Sequence, residues 1–100
     1  MQKVPIYFIY SEGCEDCAAM LSAISSVTQN FSVPCDLVKM LYTDKKAVAI
    51  AAECGVADLP CCIIGEGKSR LTFVGKKYSE SAIAQAIEII WNRQQKTKTK

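Results

Sequence analysis

Two cysteines three positions apart, Cys14 and Cys17, are the residues of this chain best suited to chemistry. They lie in Ser11-Glu12-Gly13-Cys14-Glu15-Asp16-Cys17, directly after the apolar run Ile6-Tyr7-Phe8-Ile9-Tyr10. Thiols at i and i+3 share one helix face and fall within the Cα separation that a disulfide tolerates. A helix N-terminus also favours the thiolate, which is the reactive form. A pair so placed supports either thiol–disulfide exchange or ligation of a soft metal.

Four further cysteines, Cys35, Cys54, Cys61 and Cys62, are scattered along the chain, and there is no histidine. An all-cysteine zinc or iron–sulfur site would therefore draw most of its protein ligands from thiolates. Zinc sites of that kind usually pair two Cys-x-x-Cys units, and this chain has one. No metal site is expected here, although all-cysteine metal or iron–sulfur binding, including a cluster bridging two chains, stays open as an alternative. Cys35 and Cys54 read as small hydrophobes at element boundaries. Cys61 and Cys62 point to opposite faces of a strand, so only one of them can face any given site.

The rest of the composition fits one soluble domain. Half of the 100 residues are hydrophobic and the formal net charge is +2, with much of the positive charge in Lys96-Thr97-Lys98-Thr99-Lys100. The body is thus near neutral, and neither a nucleic-acid partner nor a membrane is expected. Pro5 interrupts the first apolar run, which leads into Glu12, Glu15 and Asp16, so no signal peptide is expected. The expected location is cytoplasmic, where cysteines form no disulfide framework. Residues 1–94 are read as the domain and 95–100 as a disordered basic tail. The working form is expected to be a monomer.

The elements that must position the cysteines follow from periodicity. A strand covers about Val4 to Tyr10. A helix runs from about Cys14 to Asn30, its stripe Cys17, Met20, Leu21, Ile24, Val27 and Phe31 close to the 3.6 period. A second strand is expected at about Cys35 to Tyr42. A second helix, capped by Thr43, runs from Asp44 to Cys54 and stops at Gly55. Cys61-Cys62-Ile63-Ile64 and Arg70-Leu71-Thr72-Phe73-Val74 read as a hairpin about a turn at Gly65-Glu66-Gly67-Lys68. Ser79 caps a last helix with Tyr78 as a staple on Ile83, and its apolar face is Ile83, Ala86, Ile87, Ile90 and Trp91. The order is β-α-β-α-β-β-α. It predicts an α/β fold with a four-stranded mixed sheet flanked by three helices, the first three strands parallel and the last an antiparallel edge.

At this point the chain resembles the thioredoxin-like superfamily in its small thioredoxin and glutaredoxin forms. The Cys14-Glu15-Asp16-Cys17 box after the first strand carries the resemblance, together with Gly55-Val56-Ala57-Asp58-Leu59-Pro60, which is similar to that family's Gly-Val-x-x-x-Pro segment. The resemblance implies a thiol–disulfide oxidoreductase with Cys14 as attacking thiolate, Cys17 as resolving thiol and no bound cofactor. It implies that Pro60 is cis and lies against the dithiol. Gly13, Leu59 and Pro60 would then form the substrate site, with the Leu59 backbone holding an extended substrate chain. The implied partners are a protein disulfide and a reductase or thiol donor. Cys61, next to Pro60, would lie near the dithiol as an auxiliary thiol or would simply fill the core.

Departures from that family are informative. Thioredoxins usually carry Trp before the first cysteine and Gly-Pro inside the box, where this chain has Gly13 and Glu15-Asp16. Glutaredoxins often have Pro-Tyr inside the box and a lysine just upstream, where this chain has Glu12. Phe8 replaces the buried carboxylate of thioredoxins, so proton transfer would fall to Glu15, Asp16 or water. Three acids near the dithiol oppose the helix dipole, which implies a thiolate less acidic than that of a strong oxidant. Glu15 and Asp16 also serve as ordinary first-turn acids. A non-catalytic interaction domain remains a third reading.

Overall fold

In a computed structural model, which describes residues 3–30, 32–55, 59–65, 70–74 and 78–98, seven elements follow one another. They are β1 (Val4–Tyr10), α1 (Glu15–Asn30), β2 (Cys35–Leu41), α2 (Lys45–Cys54), β3 (Cys61–Ile64), β4 (Leu71–Val74) and α3 (Glu80–Lys98). The strands form one sheet in the order β2-β1-β3-β4. β1 is central, and its alternation sends Val4, Ile6 and Phe8 to one face and Ile9 to the other.

The first face is covered by α1 and α3. Cys17, Met20, Ile24 and Val27 of α1 and Ile83, Ala86, Ile87 and Ile90 of α3 close over Val4, Ile6, Phe8, Cys62 and Ile64. The second face is covered by α2, where Ala47 packs with Ile9, Met40, Cys61 and Ile63. Each fully buried Ile or Phe contributes about 1.5–3 kcal/mol, so these two layers are the main source of stability. Phe31, expected to extend the α1 stripe, and the turn at 66–68 lie outside the described residues.

Three local expectations are corrected. β3 runs antiparallel to β1, with Ile9 opposite Cys61 and Ile6 opposite Ile64, whereas only β2 is parallel to it. A parallel β3 would begin beside Val4, a strand length away. The ten-residue α2 is about 15 Å long, and the chain re-enters the sheet at the end where β1 and β2 leave it. Asp44, not Thr43, holds the N-cap position of α2. Its carboxylate turns back to accept the Leu41 N–H at 3.1 Å, and its own N–H donates to the Leu41 carbonyl at 3.0 Å, so the turn out of β2 is closed by Asp44 itself. Finally, α3 continues to Lys98 through a stretch expected to be an unstructured tail. Gln and Lys are good helix formers, and extending an existing helix is easy compared with starting one.

Other signals fold as read. Gly55 ends α2 in the left-handed region at φ 70°, its N–H directed to the Ala51 and Ala52 carbonyls. Ser79 Oγ accepts the Ala82 N–H at 3.1 Å and caps α3. Tyr78 packs on the cluster that contains Ile83 and stacks on Phe73 at 4.7 Å.

Candidate active site

The dithiol sits where β1 hands over to α1. Gly13 takes φ 74°, a conformation that costs other residues a Cβ clash, and so turns the chain from strand to helix. Cys14 is then the N-cap residue of α1 rather than its first helical residue. Its carbonyl accepts the Ala18 N–H at 3.1 Å, and its Sγ accepts the Cys17 N–H at 3.0 Å. This is the bonding of a capping serine with sulfur in place of oxygen. The sulfur therefore meets both a backbone donor and the positive end of the helix dipole, each of which favours a thiolate.

Cys14 and Cys17 are joined by a disulfide with their Cα atoms 5.1 Å apart, inside the usual range for the bond. The two sulfurs differ in access. Cys14 is half-buried, whereas Cys17 is 3% exposed and belongs to the core between sheet and α1. Glu12, Glu15 and Asp16 are exposed around them.

The antiparallel entry of β3 decides what lies at this end of the sheet. With Cys61 opposite Ile9, the preceding Leu59 and Pro60 continue past Tyr10 toward the Ser11–Gly13 loop. A parallel β3 would have placed them at the far end. The Leu59–Pro60 bond is cis, as the resemblance implied. Pro60 is buried, and Leu59 packs on the same core layer as Cys14. Val56, Ala57 and Asp58, which complete the motif, lie outside the described residues.

Cys61 is not brought to the dithiol. It is fully buried on the α2 face with Ile9, Met40 and Ile63, while Cys17 lies on the α1/α3 face. Burial, with a smaller contribution from nearby Cys54, pushes its thiol up to about 11. Cys62 shares a face with Cys17 and pairs across the strands with Phe8. Burial first, then Cys61, pushes it up to about 12. Cys35 donates its Sγ–H to the Val33 carbonyl at 3.4 Å, and burial raises its thiol too. Among the described residues no three His, Cys, Asp or Glu side chains come together as a metal site.

Beside the dithiol is an open cavity of about 490 Å³, walled by Phe8, Tyr10, Ala18 and Leu21 and reached by both cysteines. It was not anticipated from sequence. The signal was present: Phe8 and Tyr10 share a strand face, and Leu21 stands one turn beyond Cys17.

No protein-family profile and no curated protein sequence matches this chain. Solved structures do. An uncharacterised thioredoxin-like protein from Clostridium perfringens superposes with a TM-score of 0.74 at 14% identity, covering 88% of this chain and 71% of its own. Oxidised mitochondrial thioredoxin 3 from Saccharomyces cerevisiae gives 0.65 at 19% identity, covering 88% and 79%. A mutant thioredoxin from Halobacterium salinarum gives 0.68 at 18% identity, covering 89% and 75%. At such identities the likeness speaks to fold, and it agrees with the two motifs: the chain has the fold of the thioredoxin-like superfamily, with a cysteine pair capable of redox thiol chemistry at the start of its first helix.

Proposed function

We propose that this protein is a thiol–disulfide oxidoreductase acting through Cys14 and Cys17. The observation that carries this reading is the placement of Cys14 Sγ as the N-cap acceptor of the Cys17 N–H, with Cys14 accessible and Cys17 buried behind it. In the reduced protein the Cys14 thiolate attacks one sulfur of a substrate disulfide. That S–S bond breaks, the leaving thiolate takes a proton, and Cys14 is left in a mixed disulfide. Cys17 loses its proton to water or to a neighbouring carboxylate and attacks Cys14 Sγ. The second substrate thiolate departs and is protonated, leaving the Cys14–Cys17 disulfide and a substrate reduced by two electrons. A reductase or a thiol donor returns the electrons by the same exchange in reverse.

Gly13, Leu59 and Pro60 frame the approach, with the Leu59 backbone pairing an extended substrate segment. The helix terminus favours a Cys14 thiolate while the negative charges of Glu12, Glu15 and Asp16 oppose it. Each effect is about 1 kcal/mol or less at an exposed site, which makes the couple a reductant or mild exchanger rather than a strong oxidant. The proposed setting is a reducing compartment such as the cytoplasm. Glutathione, an anionic peptide, is disfavoured as donor by the same three acids.

Trapping tests the roles. Reduced Cys17→Ser mixed with a disulfide-bonded peptide should accumulate one covalent adduct on Cys14, seen by mass spectrometry and released by dithiothreitol. An adduct on another cysteine, or multiple turnover by Cys14→Ser, contradicts the assignment.

A further inference from the structure

The cavity beside the dithiol combines features that together specify an occupant. Its volume of about 490 Å³ falls in the range of ligand clefts, about 300–1,000 Å³. Tyr10 forms one wall and is backed by the buried Phe8, their rings 6.0 Å apart and 11° from parallel. Ala18 and Leu21 supply aliphatic surface from α1. Cys14 borders it with the buried Cys17 behind, so whatever enters lies against the attacking residue. Its charged lining residues are Glu12 and Glu15, and among the described residues no lysine or arginine lines it.

We propose that this cavity is a side-chain pocket for the substrate, and that the substrate class is a polypeptide disulfide with an apolar side chain beside its cysteine and positive charge nearby. This rests on the exchange reading above and deepens it. An aromatic or leucine side chain one or two residues from the substrate cysteine covers Tyr10, Ala18 and Leu21 as the mixed disulfide forms on Cys14, removing apolar surface from water on both sides. A lysine or arginine next to it meets Glu12 and Glu15 at the rim. The pocket thereby orients the substrate sulfur, and a small or anionic disulfide gains neither contact.

The test compares disulfide-bonded peptides that differ only beside the cysteine. One set carries Gly, Leu or Phe at the neighbouring position; the other carries Lys or Glu beyond it. Hydroxyethyl disulfide, which has no side chain to place, reports exchange itself. For the reduced protein kcat/KM should rise about tenfold from Gly to Phe and about threefold from Glu to Lys at low ionic strength. Ala18→Phe, at an exposed helix position that projects into the cavity, should collapse the Phe-to-Gly ratio toward one. The double change Glu12→Gln and Glu15→Gln should collapse the Lys-to-Glu ratio and leave the Phe-to-Gly ratio standing, whatever it does to the overall rate. Equal rates for Gly and Phe peptides, with hydroxyethyl disulfide still reduced, would overturn the pocket and leave the exchange reading standing. Failure to reduce any of these disulfides would overturn both.

Discussion

Six cysteines of one chemical type divide by environment into different kinds of thiol. Cys14 receives a backbone N–H at a helix start, while Cys61 and Cys62 receive only apolar neighbours. Ionising a thiol without solvent is unfavourable, and that raises these two from the ordinary 9.0 to about 11 and about 12. The folded state therefore holds their protons more tightly than the unfolded chain does. Stability from this source is complete below pH 9 and falls as pH rises through about 11 and 12. Urea unfolding followed between pH 8 and 11 should show stability declining with pH, and Cys61→Ala should flatten that slope while losing packing. At neutral pH an alkylating agent should modify Cys14 of the reduced protein quickly and leave Cys61 and Cys62 untouched until it unfolds. The pair at 14 and 17 was legible as redox chemistry from spacing alone. The place of Cys61 was not, because period two says only that Cys61 and Cys62 part ways, and the packing of β3 decides which of them shares the dithiol face.

At the scale of elements, termini carry the most information. Glycines at 13 and 55 take φ 74° and 70°, and beyond its chain neighbours a Cβ added at either would meet no described atom within 4 Å. The expected effect of Gly55→Ala is thus purely conformational, a loss of about 1 kcal/mol in chemical denaturation with no change in exchange rate. If Gly55→Ala is as stable as the parent, the left-handed end of α2 is wrong. Helix ends were readable where a residue has one dominant use, as for Gly55 and Ser79. They were misread at Thr43 and Asp44, where two good capping residues stand side by side and the choice depends on which one closes the turn out of β2. Periodicity alone starts the helix at Cys14, because a sulfur acting as the cap acceptor falls outside the usual Ser, Thr, Asp and Asn signals.

Across the whole molecule, one topological choice assembles the site. The run Cys61-Cys62-Ile63-Ile64 is buried on both faces, and a continuous apolar run reads the same in either direction. Sequence therefore located the strand without its polarity. The antiparallel direction brings Leu59 and Pro60 to the end of β1 that leads into Cys14, two motifs more than forty residues apart in the chain. The same arrangement puts α1 and α3 on the dithiol side and leaves the cavity open next to the sulfurs. The architecture was legible because each helix shows one apolar stripe and each strand a short apolar run. The cavity was not, since it depends on how far α1 stands from the Phe8 and Tyr10 rings. The central claim, that Cys14 and Cys17 form an exchange couple, is tested most directly by the midpoint potential of the anaerobically purified protein, measured together with its metal content. The account predicts a two-electron couple between roughly −270 and −200 mV, absent from Cys14→Ser. The contradicting result is a protein with no such couple that carries stoichiometric zinc or iron, lost on the same substitution.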